Sequence, residues 1–346
     1  MDCNRISTNN TFTKGLVSII TPCYNTEKFI HRLMDSILMQ SYPSIEMFAI
    51  NDGSTDNTLN VLESYVDRFQ SKGYSLTIIT QENQGQSFAI NYGLKLIHGE
   101  FLVWPDSDDF YSSEYAIEKM ATELKNSDDT IGMVRVQENI VDENDLHILS
   151  INGKSNKRIE DINLFEECLY AKNRFYFPPG GYMIKSQILK DEVNLDIYTE
   201  KKAGQNWQIY LPILINHRCL SILEPLYTVL SRNTSHSRGQ FKKYNDLKEL
   251  MTSYENTIIN TLLRIKNIDE TSRQKYVKNI QVKYSVDRYL LSLKYFEKKD
   301  INEGKDTLIK WNAFNLCLRC IYIISNIPCL NKITPILCKI YRKIWF

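Results

Sequence analysis

Asp106 and Asp108 stand two residues apart, directly after the apolar run 101–104. Extended backbone throws residues i and i+2 to the same side, so the spacing predicts two carboxylates facing one space. Such a pair suits a hard divalent cation, Mg2+ or Mn2+, that keeps positions open for phosphate oxygens. A solvated acidic turn is the plainer alternative. Asp52 follows a second apolar run, 45–50, where a carboxylate can accept from a ribose hydroxyl or a base N–H. Tyr24 can stack on a base or pack at a sheet edge. Ser54, Thr55 and Asp56 offer helix caps. Asn83-Gln84-Gly85 leads into a helical pattern, and Gly85 permits close backbone approach there.

The elements that must carry these residues alternate two periods. Apolar runs at 16–20, 45–50, 76–80 and 101–104 read as buried strands, and 27–40, 58–69 and 87–97 carry helical spacing. Strand–helix repetition with continuous apolar strands predicts a parallel sheet with helices on both faces. Ligands bind outside the carboxyl ends of such strands. The polar clusters TPCYN, NDGSTDNT, ENQGQ and PDSDD fall at those four ends. Beyond them, 131–136 and 220–230 read as strands, 162–170 and 207–215 as helices, and FPPGGY at 177–182 as a rigid turn with two glycines. Residues 242–299 are helical in pattern, with a second helical stretch near 276–296.

Composition narrows the classes. The 346 residues are 43% hydrophobic and 24% charged, with 13 Gly and 9 Pro, which excludes disordered and collagen-like chains. The net charge of +1 provides no field that calls for nucleic acid. The eight cysteines lack zinc spacing. Cys317-x-x-Cys320 lies among apolar residues and reads as filling space, and the thiols read as reduced. His31, His98, His147 and His217 show no metal spacing. MDCNRISTNN carries no apolar export signal. From 307 to 346 there are six basic residues and no acidic one. Ile336, Leu337, Ile340, Tyr341, Ile344 and Trp345 form one helical face there, and Lys339, Arg342 and Lys343 the other. This basic amphipathic helix suits a membrane interface or packing on the protein's own core, and it is too short in apolar run to span.

Four motifs in order carry a resemblance: Thr21-Pro22-x-Tyr24-Asn25, Asn51-Asp52-Gly53-Ser54-x-Asp56, Asn83-x-Gly85-x-x-x-Ala89-x-Asn91-x-Gly93 and Asp106-Ser107-Asp108-Asp109. With them the chain resembles the inverting family 2 glycosyltransferases of the GT-A fold, of the bacterial surface-polysaccharide type. The likeness is close over 15–110 and loose over 175–240. It implies an α/β, Rossmann-like, mostly parallel sheet with a helical C-terminal extension. The expected parts are an arm at 1–14, a transferase domain at 15–240 (nucleotide-sugar half 15–110, acceptor half 111–240), a helical extension at 241–306 and the basic tail at 307–346. It also implies a nucleotide-diphosphate sugar donor, most often a UDP-sugar, and a glycan or lipid-linked acceptor. By it, Pro22, Tyr24, Asn25, Asp52, Asn83 and Gly85 hold the donor, while Asp106 and Asp108 handle ribose, metal and diphosphate. His236 and Arg238 fall in the loop that closes on the diphosphate, and Gly180 and Gly181 lie near the acceptor cleft. The expected location is the cytoplasm, peripheral on the inner face of the membrane.

One motif departs from the family. A Glu-Asp pair, whose Asp is the general base, is replaced by Gln205-Asn206. An amide cannot take a proton near neutral pH. Asp196 and Glu200 are the nearest upstream carboxylates. Otherwise the amides position a hydroxyl while water or a donor phosphate oxygen takes the proton, or the protein binds donor without transferring it. Trp207 reads as an acceptor-stacking or a core residue. A nucleotidyltransferase would need a basic, Gly-rich loop after the first strand, which TPCYNTEKF does not supply.

Overall fold

The computed structural model describes residues 12–153, 164–172, 175–232, 243–327 and 331–345, without the side chains of 331 and 343–345. They fall into two compact units. The first runs to Arg232 and includes Arg264–Asn267; the second comprises the rest.

The first unit opens with β1 (Thr13–Cys23), α1 (Ile30–Leu38), β2 (Ile45–Asp52), α2 (Thr58–Glu63), α3 (Val66–Lys72), β3 (Ser75–Gln81), α4 (Gln86–Leu94) and β4 (Gly99–Val103). It continues with β5 (Phe110–Tyr111), α5 (Ala116–Asn126), β6 (Ile131–Asp142), β7 (Ile148–Asn152), α6 (Phe165–Leu169), β8 (Tyr182–Lys185), α7 (Ser186–Val193), α8 (Asn206–Leu214) and β9 (Arg218–Ser231). One sheet runs in the order β3-β2-β1-β4-β8-β6-β9-β5, with β7 added to β6.

The half from β3 to β4 is parallel, as the alternating sequence requires. The other half is mixed: β4–β8, β6–β8, β5–β9 and β6–β7 are antiparallel and β6–β9 is parallel. The mostly parallel expectation therefore holds for the first half alone. Beyond β4 the connections no longer repeat a strand–helix unit, so periodicity could not set strand direction.

Side-chain alternation distributes the helices over both faces. Val17 and Ile19 of β1 and Met47 and Ala49 of β2 join Leu33, Phe69 and Met120 of α1, α3 and α5 in one core. Ile20 points the other way and meets Gly93 of α4. Each such aliphatic side chain contributes about 1.5–3 kcal/mol on full burial. The pattern at 58–69 reads as one helix, yet the chain breaks between α2 and α3. Tyr65 turns there to donate its hydroxyl to the Asp35 carboxylate on α1, at 3.1 Å. With no Gly or Pro at the break, the local sequence carries no mark of it.

The second unit holds α9 (Tyr244–Arg264), α10 (Glu270–Tyr295), α11 (Lys298–Lys310), α12 (Leu316–Ser325) and α13 (Thr334–Trp345). Val286, Leu290, Leu308, Leu318, Cys338 and Tyr341 share its core, so 241–306 and 307–346 are packed together. The helical face read from the tail is split: Tyr341 is buried, whereas Ile336 and Ile340 are exposed. The reading of Cys317 and Cys320 as space-filling is corrected, since both lie on the exposed side of α12. No described helix is long and apolar enough to cross a membrane.

Candidate active site

The loops after β1 and β2 are stitched into one surface. Asn25, with φ +51°, accepts from Thr55 N–H through Oδ1 at 2.8 Å, and its own N–H donates to Ser54 Oγ at 3.1 Å. Glu27 accepts from Asn57 N–H at 2.9 Å, and Asp56 accepts from Glu27 N–H at 3.1 Å. Asn25 and Asp56 therefore build the rim. Tyr24 stands 46% exposed on that rim, and Pro22 is buried within β1.

Asp52 is buried at the end of β2 and gathers the third loop. Its Oδ1 accepts from Gln81 Nε2 at 2.7 Å and Gln84 N–H at 3.0 Å, and its Oδ2 accepts from Gly85 N–H at 2.8 Å. Three donors fix the carboxylate, and Oδ2 keeps capacity for one more. Asn83 lies in this loop, its backbone close against Gly53. Gly85 sits at φ +101°, ψ 167°, a region that glycine alone occupies readily. A side chain there would run into the Lys201 carbonyl, whose carbon would lie 3.1 Å from the added Cβ.

Gly85 thereby starts α4 against the segment 195–201. Ser87 Oγ donates to Glu200 O at 2.9 Å and accepts from Glu200 N–H at 3.2 Å. In the first turn, Gln86 Nε2 reaches Asp106 Oδ1 at 2.8 Å. Farther along α4, Lys95 Nζ pairs with Asp196 at 2.8 Å, and Asn91 Nδ2 donates to the same oxygen at 3.3 Å. Asp196 is therefore engaged at the second half of α4, away from the turn that touches Asp106. Desolvation is the largest single influence on it and acts upward, but Lys95 and Asn91 together outweigh it and hold the carboxyl below its ordinary range, the wrong direction for a base. Glu200 accepts from the Tyr198 hydroxyl at 2.7 Å.

Asp106 to Asp109 form a turn closed by Asp109 N–H on Asp106 O at 3.2 Å. The expected extended geometry is corrected here, because the chain must reverse from β4 into β5. The turn nevertheless brings the carboxylates together. Burial, then the charge of Asp108, push Asp106 up to about 7, with Gln205, Gln86 and Arg232 pulling it down. Asp108 forms an ion pair with Arg232, each side chain less than one-fifth exposed. The Arg232 guanidinium also lies 4.6 Å from the Phe29 ring centre. Asp109 is buried and accepts from Leu230 N–H at 2.9 Å; burial and its two acidic neighbours push it well up. It anchors the turn to β9. The oxygen-only set of Asp106 and Asp108 fits a hard divalent cation, since two close carboxylates face one guanidinium.

At the start of α8, buried Gln205 donates from Nε2 to Asp106 Oδ1 at 3.4 Å, leaving its Oε1 without a partner. Asn206 Oδ1 accepts from Trp104 Nε1 at 3.4 Å. The structure thus brings Gln205 to the acidic turn. Trp207 donates to Cys168 O at 2.9 Å and packs on Phe177 with ring centres 5.0 Å apart, as a packing residue does.

Gly180 and Gly181 lie where Cβ atoms would overlap the Tyr227 ring and the Glu138 carboxylate. Glu138 is fully buried on β6; Oε2 accepts from Asn152 Nδ2 at 3.1 Å, Oε1 has no partner, and burial pushes the carboxyl well up. His236 and Arg238 lie outside the described residues. His98 pairs with Glu46 at 3.0 Å, a structural role. His147 lies with Asp142 and Asp145 on the β6–β7 turn, their ligand atoms within 4.8 Å of one another, which spacing alone did not reveal.

Sequence reasoning placed Gln86 in the ENQGQ cluster and Arg232 at the head of the 232–238 loop without giving either a role, and it missed Glu138. Glu138 left a signal, the one glutamate inside β6.

A parallel β3-β2-β1-β4 half with an acidic turn at the end of β4 defines an open α/β domain whose polar loops gather at the carboxyl ends of its strands. Residues 18–185 match the family described as Glycosyl transferase family 2, so this part of the chain is a family 2 glycosyltransferase domain. An uncharacterized glycosyltransferase of Rickettsia typhi is 33% identical over 158 residues, covering 45% of this chain and 47% of its own. Poly(ribitol-phosphate) beta-N-acetylglucosaminyltransferase TarS of Staphylococcus aureus is 25% identical over 265 residues, covering 73% and 42%. The chain thus spans less than half the length of these relatives. The structure of S. aureus TarS 1–349 in complex with UDP-GlcNAc superposes with a TM-score of 0.65 at 19% identity, covering 96% of this chain and 93% of that one. That likeness shows the GT-A fold.

Proposed function

We propose that the protein transfers a sugar from a UDP-sugar to a hydroxyl of a glycan or lipid-linked glycan in bacterial surface-polysaccharide synthesis, with inversion. The carrying observation is the Asp106–Asp108 turn at the end of β4, faced by Arg232 and buttressed by Gln86 and Gln205. UDP-GlcNAc is the first donor to test, because it is the ligand of the TarS neighbour. In this reading Tyr24 stacks on the base, and Asp52 and Asn83 present the β2 and β3 loops to the nucleoside. Asp108 and Asp106 hold the cation, Mn2+ or Mg2+, which when bound offsets charge on the departing diphosphate. Arg232 releases Asp108 and turns its guanidinium to the phosphates, as a bidentate donor can. Gln205 orients the acceptor hydroxyl, and the departing phosphate oxygen takes its proton. One displacement at the anomeric carbon inverts its configuration. The acceptor would be met at the inner face of the cytoplasmic membrane.

A second reading, donor binding without transfer, is favoured by one observation: the amides at 205–206 include no base. Thermal shift with a panel of UDP-sugars, with and without Mn2+, followed by anomeric NMR of the product, separates the two. Stabilisation plus turnover with inversion is expected. Asp108→Ala should abolish metal-dependent turnover while leaving the circular dichroism spectrum intact. Stabilisation without turnover selects the binding module, and unchanged turnover in Asp108→Ala removes the metal assignment.

A further inference from the structure

The outer faces of α12 and α13 remain uncovered. Their inner faces are occupied: Leu318 and Ile321 of α12 and Cys338 and Tyr341 of α13 enter one core with Val286 and Leu290 of α10. Asn315, the cap of α12, donates from Nδ2 to Tyr341 Oη at 2.8 Å and ties the two helices together. The two helices therefore share one core and pack directly against each other. Outside that core Leu316 is 74% exposed, Ile323 58%, Ile336 59%, Ile340 48% and Ile333 41%. The spacings 316/323 on α12 and 336/340 on α13 make one stripe on each helix, and Ile333 directly precedes α13. Isolated exposed aliphatic residues are ordinary, but four on two packed helices with Ile333 beside them mark a contact surface.

Charge selects the occupant. Arg319, Lys332 and Lys339 are exposed on the same two-helix segment, and 307–346 has no acidic residue. Arg342 is held apart from this set by its 3.0 Å pair with Asp287. We infer that this face seats the protein on an anionic lipid bilayer, with the aliphatic stripes at the headgroup–acyl boundary and Arg319, Lys332 and Lys339 on lipid phosphates. A second copy docking through the same patch would set like charges against each other, since a two-fold interface pairs the patch with itself. The inference goes beyond sugar transfer and needs neither donor nor acceptor.

Flotation of the full chain with vesicles tests it. The chain should rise with phosphatidylcholine vesicles containing about one-third phosphatidylglycerol, and not with phosphatidylcholine alone. Ile336→Asp combined with Ile340→Asp should lower the bound fraction about tenfold or more, with helical circular dichroism unchanged. Lys332→Glu with Lys339→Glu should weaken binding to the anionic vesicles. The inference is overturned if the chain never floats, if both variants float like the parent, or if the face instead forms a dimer in sedimentation that Ile336→Asp dissolves. Loss of sugar transfer with flotation retained would count against the enzymatic reading alone.

Discussion

Replacing Gly85 by Ala tests whether the start of α4 is set by backbone shape. Two costs add. The residue sits at φ +101°, ψ 167°, where a side chain costs about 1–3 kcal/mol. Its new Cβ would also push the Lys201 carbonyl, an overpacking cost of about 1–3 kcal/mol. The expected loss is therefore about 2–6 kcal/mol for the first unit. Gly73→Ala is the control: φ is +83°, yet nothing lies within 4 Å of an added Cβ. It should cost only the left-handed term, about 1–2 kcal/mol. At about 2–4 °C per kcal/mol for a domain of this size, Gly85→Ala should lower the melting temperature further than Gly73→Ala. Gly85→Ala should also weaken UDP binding in calorimetry, because Gly85 N–H bonds Asp52 and the next residue reaches Asp106. Equal melting shifts for the two variants, with UDP affinity unchanged, would refute the reasoning.

Two further outcomes follow from the carboxylates. Asp196→Asn should leave the transfer rate near that of the parent, because Asp196 is paired with Lys95 on the far part of α4; a loss of two orders of magnitude or more, on the order expected for a missing base, would reinstate it as the base. Glu138→Gln should change the pH dependence of stability. Burial raises the folded pKa, so the unfolded chain releases its proton first and the parent loses stability as pH rises above the ordinary glutamate range. The glutamine variant lacks that slope, so its urea midpoint relative to the parent should climb as pH rises past about 4. A flat difference would show that Glu138 is not held neutral by burial.

The β1–β4 half was legible because its signals are local. Continuous apolar strands, polar ends and the spacing of Asp52, Gly85 and Asp106 are each written within a few residues. What escaped depends on distant partners. The reversal at Asp106–Asp109 is locked by Leu230, more than a hundred residues away, and Arg232 meets Asp108 across a similar separation. The break at Tyr65 answers to Asp35 on another helix. Asp196 was proposed from its place upstream of Gln205; its ion pair with Lys95 could not be read from either segment alone. In the tail, periodicity found an apolar helix but could not assign one side to Leu290 and the other to the surface.

Ser87 exchanges two hydrogen bonds with the backbone of Glu200, one residue beyond the Gln86 that holds Asp106. A single helical turn is thus gripped by both halves of the first unit. In the proposed reading, a displacement of that turn by one substrate reaches the site of the other, and thermodynamic linkage then requires the influence to run with equal strength in both directions. Sugar donor and acceptor would then bind as a coupled pair, each altering the other's dissociation constant by the same factor.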